Sequence, residues 1–340
     1  MQTNDHLPLP NYLPAQDRYS AIDFNRCGTS GLKLSAISLG LWHNFGDADD
    51  LHVARKILRK AFDLGITHID LANNYGPPYG SAEENFGRFF AKDFKPYRDQ
   101  LIISSKAGYD MWEGPYGKGG SKKYIMASCE QSLKRMGLDY VDIFYHHCPD
   151  GETPVDETME ALAQLVKQGK ALYAGISNYH KGDAVLEARK ALKEHSVSLL
   201  INQLRYSIFD RGAEAAFDAM AAAGVGCIAF SPLAQGILAG RYLNGVPNGS
   251  RASNPSSYLN QNDAFRRKVE VSAKLKDLAS DKNISLAGLS LAWVLQRPTI
   301  CSALIGASSP EQLEENVASI RGVSFTDEEC ARIDAICQQL

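Results

Sequence analysis

Apolar residues in this chain come in short, nearly unbroken runs, each followed by a longer stretch in which apolar positions recur every three or four residues. The runs fall at 33–41, 66–71, 101–106, 141–147, 171–176, 198–203, 226–231 and 301–305. Helical spacing occupies 50–64, 81–92, 121–136, 156–167, 180–193, 212–223, 263–280, 285–295 and 310–319. A parallel sheet covered by helices has no wet face, so its strands read as continuous rather than alternating apolar runs. Eight such strands with crossovers predict an α/β fold of the (β/α)8 TIM-barrel kind; an open doubly wound sheet is the alternative with the same rhythm. Gly65, Gly137 and Gly224 stand where helices end, and Ser121, Asp156 and Ser309 where N-caps belong. The segments 19–25 and 33–38, around Gly28, Ser30 and Gly31, predict an N-terminal β-hairpin able to close the barrel's bottom. Long loops at 107–120 and 240–262 follow the third and seventh strands, on the face where barrels keep their active sites.

The polar residues that end these runs carry the chemistry. Asp70, Lys106 and His147 end the second, third and fourth runs and Tyr75 follows the second, so an acid, an amine, an imidazole and a phenol should meet at one rim. The later runs end in Ser177 and Asn178, Asn202 and Gln203, Phe230 and Ser231, and Gly306 and Ser308, a set suited to a planar, hydrogen-bonding ring. Each member has a plainer reading. Asp70 and Lys106 could be a structural ion pair, Tyr75 a turn aromatic beside Gly76, Pro77 and Pro78, and the later polar residues ordinary loop starts. A metal shared by His146 and His147 is rejected, because neighbours on a strand point to opposite faces. Lys106 could also form a Schiff base, as aldolases do. GVGCIA at 224–229 precedes its strand and cannot open a helix onto a pyrophosphate, and the Gly- and Lys-rich 114–123 stretch lacks the ending of a P-loop.

With 340 residues, 44% of them hydrophobic and 22% charged, the chain can bury one large core, so a single domain over 1–340 is expected, with 1–22 as an extension. A net charge of -3 offers no basic field to a phosphate backbone, which argues against nucleic acid. No leader pattern and no eighteen-residue apolar stretch occur, so a cytoplasmic protein without membrane insertion is expected. The 7 cysteines are scattered without a CxxC pair and read as reduced thiols.

The strings DLANNYG at 70–76, SK at 105–106, DIFYHH at 142–147, GISN at 175–178, NQ at 202–203, FSPLAQG at 230–236 and IGAS at 305–308 together resemble the aldo-keto reductase superfamily. The likeness runs from about residue 23 to the C-terminus. GLWHNFG at 40–46, NYGPPYGSAEEN at 74–85 and EQLEEN at 311–316 are closest to the bacterial L-glyceraldehyde 3-phosphate reductase type, a branch similar to the β subunits of voltage-gated potassium channels. The resemblance implies a barrel that binds NADPH without a Rossmann motif and reduces small carbonyl compounds, aldehydes such as L-glyceraldehyde 3-phosphate or methylglyoxal among them. It also implies a homo-oligomer. A regulatory, redox-sensing NADPH-binding subunit is the alternative; the intact set of Asp70, Tyr75, Lys106 and His147 favours turnover.

Hydride reduction of a carbonyl builds negative charge on oxygen and needs a positioned acid. Tyr75 fits. Bringing a phenol from pH 10 to about 7 takes roughly 4 kcal/mol, about what an ammonium 4 Å away supplies at an effective dielectric near 20. Lys106 is expected in that role, Asp70 holding it charged, with His147 hydrogen-bonding the substrate oxygen. By the resemblance, Ser177, Asn178 and Gln203 hold the carboxamide, Phe230 stacks on the nicotinamide, and 231–236, including Ser231, Leu233, Gln235 and Gly236, follows the pyrophosphate. Gly306, Ser308, Gln312, Glu315 and Asn316 surround the adenosine, and Trp42 lines the substrate pocket or nicotinamide edge. Many relatives set a Lys and an Arg against the 2′-phosphate where this chain has Gly306 and Gln312. Arg251 and Arg241 are the candidates to replace that charge, and NADH is a second usable cofactor. Lys118, Lys122 and Lys123 on the first long loop are candidates for a substrate phosphate.

Overall fold

The computed structural model describes residues 12–253, 259–338 and 340. The first eleven residues of the N-terminal extension and 254–258 of the second long loop lie outside them. The strands β1 (Phe24–Arg26) and β2 (Lys33–Ser35) pair antiparallel as a hairpin. The other eight are β3 (Ile37–Gly40), β4 (His68–Asp70), β5 (Ile102–Ala107), β6 (Val141–His146), β7 (Ala171–Ser177), β8 (Leu199–Arg205), β9 (Gly226–Phe230) and β10 (Ile300–Ile305). They close into a barrel in the order β10-β3-β4-β5-β6-β7-β8-β9, every pair parallel. Closure decides for the (β/α)8 barrel over the open sheet.

The first apolar run divides where the sequence showed one segment. Lys33–Ser35 belongs to the hairpin and Ile37–Gly40 to the barrel, with Ala36 between them bonded to Asp23 O and to Ala303 N. A run cannot satisfy an antiparallel partner below and parallel partners above without turning, and hydropathy does not register the turn. Cys27 and Leu34 of the hairpin join Ile143, Tyr145, Ile201, Ile228 and Cys301 in one buried cluster inside the barrel. The hairpin is therefore the floor of the lumen.

Helices wrap the barrel: α1 (Leu51–Asp63), α2 (Ser81–Phe89), α3 (Lys122–Met136), α4 (Val155–Lys167), α5 (Gly182–Glu194), α6 (Glu214–Ala223), α7 (Asp263–Asp281), α8 (Leu286–Leu295), α9 (Pro310–Ser319) and α10 (Asp327–Cys337). Ser121 and Ser309 cap α3 and α9 as expected. Asp156 does not cap α4, which begins behind Pro154; it sits in the first turn, where its charge opposes the helix dipole. The apolar spacing missed α10, whose only fully buried side chain is Ile333, although Thr326 and Glu329 form a capping box there of a kind readable from sequence.

Candidate active site

Period-two geometry fixes which side chains enter the lumen. His68 and Asp70 on β4, and Ser104 and Lys106 on β5, alternate along adjacent strands and point inward. Lys106 Nζ donates to Asp70 Oδ2 at 2.5 Å and to the Leu71 carbonyl at 2.6 Å, and neither charged side chain is exposed. The other carboxylate oxygen, Asp70 Oδ1, accepts from Ser104 Oγ at 2.8 Å and from Gln203 Nε2 at 3.0 Å. Burial lowers the Lys106 pKa, against the pull of Asp70. The ammonium is held by two oxygen acceptors, the Asp70 carboxylate and the Leu71 carbonyl, an arrangement that suits a structural or electrostatic role better than a Schiff base.

A chain of polar side chains runs from this pair down the lumen. Ser104 Oγ lies 3.0 Å from His68 Nε2, His68 Nδ1 lies 2.8 Å from Ser38 Oγ, Ser38 Oγ lies 2.5 Å from Ser302 Oγ, and Ser302 Oγ lies 2.8 Å from the Ser35 carbonyl on the floor. Burial lowers His68 to about 4, so the imidazole is neutral near pH 7. Three hydroxyls and one neutral imidazole bring four protons to the five contacts from Asp70 to Ser35. The carboxylate claims the Ser104 proton, since a charged acceptor makes the stronger bond. His68 therefore carries its proton on Nε2, and the deficit falls at the Ser302 end.

Tyr75 enters above the pair on a tight loop. A Cβ at Gly76 would lie 2.0 Å from Pro78 O, so only glycine lets the chain turn there. Lys106 Nζ is 4.9 Å from the centre of the Tyr75 ring. His147 stands edge-on to Tyr75, centroids 6.2 Å apart, and to Tyr109 at 4.5 Å, while Trp42 flanks Tyr75 at 6.4 Å. Beneath Lys106 lies the ring of Tyr145, for which Gly175 leaves room: a Cβ there would come within 2.6 Å of it. The sequence placed His147 at a strand end; β6 stops at His146, and Asn178 Nδ2 fixes the His147 carbonyl at 2.9 Å. His146 turns the other way, its Nδ1 2.8 Å from Tyr179 Oη. Among the described residues no group of three or more His, Cys, Asp and Glu could hold a metal ion.

The electrostatics differ from the expectation at Tyr75. Burial first, then the charge of Asp70 and the neighbouring Tyr109, raise its phenol well above 10. Burial, Lys106 and His146 lower His147 well below 6.5. The Tyr75 phenol thus keeps its proton and the His147 imidazole is neutral near pH 7.

The other expected residues make local contacts of their own. Ser177 Oγ donates to the Gln203 carbonyl at 2.9 Å, and Asn178 N to the same oxygen at 3.0 Å, so three residues expected at a carboxamide form one linked edge. In the loop after β9, Ser231, Ala234 and Gln235 hold positive φ of 56°, 45° and 58° without being glycine. Such strain gathers at ligand sites. Arg251 Nη2 lies 3.9 Å from where a Cβ of Gly306 would stand. Arg241 is exposed and close enough to Arg251 to depress its pKa, after burial. Gln312 accepts from Ser308 N at 2.9 Å. Asn316 is buried with no partner for its Nδ2; Glu315 is exposed beside it. Leu233 is buried, and Gly236 turns at φ 97°.

Of the lysines on the first long loop, Lys122 Nζ is paired with Glu160 at 2.8 Å, Lys123 lies over Tyr116 and Lys118 is exposed. Sequence reasoning passed over Arg205, the last residue of β8, which faces Phe230 across the sheet with its guanidinium 5.7 Å from that ring. Its signal was present: it lies two positions beyond Gln203 and so on the same strand face. No helix among the described residues is long and apolar enough to cross a membrane.

A model of the aldo/keto reductase family matches residues 36–338. The L-glyceraldehyde 3-phosphate reductase of Escherichia coli (strain K12) is 51% identical over 328 residues, covering 95% of this chain and 94% of that protein. A probable voltage-gated potassium channel subunit beta of Oryza sativa subsp. japonica is 33% identical over 327 residues, covering 93% and 97%. One from Arabidopsis thaliana is 33% identical over 308 residues, covering 88% and 91%.

Proposed function

Because this chain belongs to the aldo/keto reductase family and is an oxidoreductase, we propose that it reduces small aldehydes to primary alcohols with NADPH, Tyr75 delivering the proton. The observation that carries this reading is the convergence of Tyr75, Lys106, Asp70 and His147 at one strand-end rim. When bound, the reduced nicotinamide supplies the hydride to the carbonyl carbon. Tyr75 gives its phenolic proton to the oxygen as charge develops there, and Lys106, held by Asp70, sits where the resulting phenolate needs a cation. Neutral His147 orients the carbonyl by a hydrogen bond. Ser177, Asn178 and Gln203 present the edge for the carboxamide, Phe230 the flat face for the ring, and Arg251 with Arg241 the cations for the 2′-phosphate. The relative that shares half of its residues with this chain is named for a phosphorylated aldehyde, which supports a short substrate of that kind.

The channel-subunit names at 33% identity favour a second reading, a cofactor-binding regulatory subunit. Steady-state assays of short aldehydes, phosphorylated and not, with NADPH and with NADH decide between them. Turnover of at least one aldehyde is expected; cofactor binding without turnover of any would overturn the enzymatic reading.

A further inference from the structure

Between the loop that follows β8 and the start of α7 lies a cavity of about 250 Å3 whose lining includes Arg205, Lys268, Ser231, Gln235, Asn260 and Asn262. Arg205 and Lys268 bring two positive charges, and the one acid among the described lining residues, Asp210, stands 4.0 Å from Arg205 Nε. That separation leaves the guanidinium's fork without a close partner among the described residues, and its side chain is 55% exposed. Arg241 and Arg251 do not line the cavity, so its cations are distinct from the pair beside Gly306. The cavity is nevertheless tied to the reacting centre. Arg205 lies two residues beyond Gln203, whose amide touches Asp70 at 3.0 Å, and over Phe230, and its charge acts on Tyr109, the ring packed on His147. The floor is the strained turn at Ser231, Ala234 and Gln235.

We propose that this cavity binds a phosphate group, with Arg205 as its principal cation and Lys268 as its second. A guanidinium matches phosphate oxygens in pairs, two cations suit a dianion, and amide and hydroxyl groups complete the shell. The phosphate is that of a phosphorylated aldehyde whose carbonyl reaches Tyr75; the other phosphate chemistry at hand is the cofactor's pyrophosphate, which shares the turn at 231–236. This assignment deepens the proposed reductase reading and rests on it for the identity of the substrate.

The test compares the parent with Arg205→Met, Arg205→Lys and Lys268→Met. It measures kcat/KM for glyceraldehyde 3-phosphate and for glyceraldehyde, and the Kd of NADPH by fluorescence. Loss of a charged hydrogen bond should lower kcat/KM for the phosphorylated aldehyde by about 10- to 100-fold in Arg205→Met. Glyceraldehyde reduction and the NADPH Kd should hold, and Arg205→Lys should recover part of the loss. A rise in the NADPH Kd with equal losses on both aldehydes assigns the phosphate to the cofactor. A variant unchanged on both aldehydes and on NADPH overturns the site, as does an equal loss on both aldehydes with NADPH binding intact, which marks a displaced Phe230. If the parent reduces neither of these two aldehydes, the substrate assignment fails, while the reductase reading rests on the wider aldehyde screen. The cavity is then judged by calorimetric titration of parent and Arg205→Met with inorganic phosphate, where weaker binding by the variant supports it and equal or absent binding sinks it.

Discussion

The Lys106 ammonium meets Asp70 Oδ2 at 2.5 Å, and neither side chain reaches solvent. Taking one partner away leaves the other charge stranded in the lumen, at a cost of about 3–5 kcal/mol, whereas removing both is far milder. Asp70→Asn and Lys106→Met should each lower unfolding free energy by that amount in urea titrations, and the double variant by clearly less than their sum. Strict additivity would show that the pair is not coupled.

Tyr75→Phe keeps the ring beside Lys106 and removes the proton. Reduction should slow by about 10²- to 10⁴-fold while NADPH binding, followed by fluorescence quenching, stays within error. A variant that turns over like the parent would remove Tyr75 from the chemistry.

The raised phenol and the lowered imidazole fix a pH profile. Tyr75 titrates well above 10, so the acid form that reduction needs is fully present below that range. His147 titrates well below 6.5 and stays neutral above it. The kcat for reduction should be flat from pH 6 to 9, and alcohol oxidation, which needs the phenolate, should rise with pH over the same interval. An inflection near 7 in reduction, in a range where chemistry limits the rate, would contradict this arrangement.

Arg251 beside Gly306 predicts the cofactor preference. Arg251→Met should raise the Kd for NADPH by about 10- to 100-fold and leave that for NADH nearly unchanged. Equal weakening of both would place the 2′-phosphate elsewhere.

Acid should weaken the fold through His68 and His146, both held near 4 by burial. The unfolded chain takes up these protons near 6.5 and the native chain does not, so stability is full above about 6.5 and falls as pH drops toward 4. The loss approaches about 3 kcal/mol per histidine. His68→Gln should be less stable than the parent at pH 7 yet lose less between pH 7 and 4.5 in urea titrations. A parallel fall in both proteins would deny His68 its part.

The barrel and the polar groups at its rim were legible because unbroken apolar runs mark buried parallel strands, and Asp70, Lys106 and His147 punctuate them. What hydropathy could not show were changes of partner without change of polarity. Ala36 divides one run between hairpin and barrel, and α10 carries too thin an apolar face to announce itself. The Tyr75 phenol is raised rather than lowered chiefly because it is buried, which spacing along the sequence does not reveal. Arg205 was overlooked because a cation at a strand end looks like any loop start until its strand face is traced back through Gln203.

Asp70, Lys106 and His147 hang from β4, β5 and the end of β6, whereas Arg205, Phe230 and the strained turn belong to β8 and β9 across the barrel mouth. On the proposed reading, proton delivery and the choice of what is reduced would reside on facing walls linked by the Gln203 to Asp70 contact. Such a scaffold can exchange one metabolite for another through changes confined to the far wall, leaving the machinery that breaks and makes bonds in its original register.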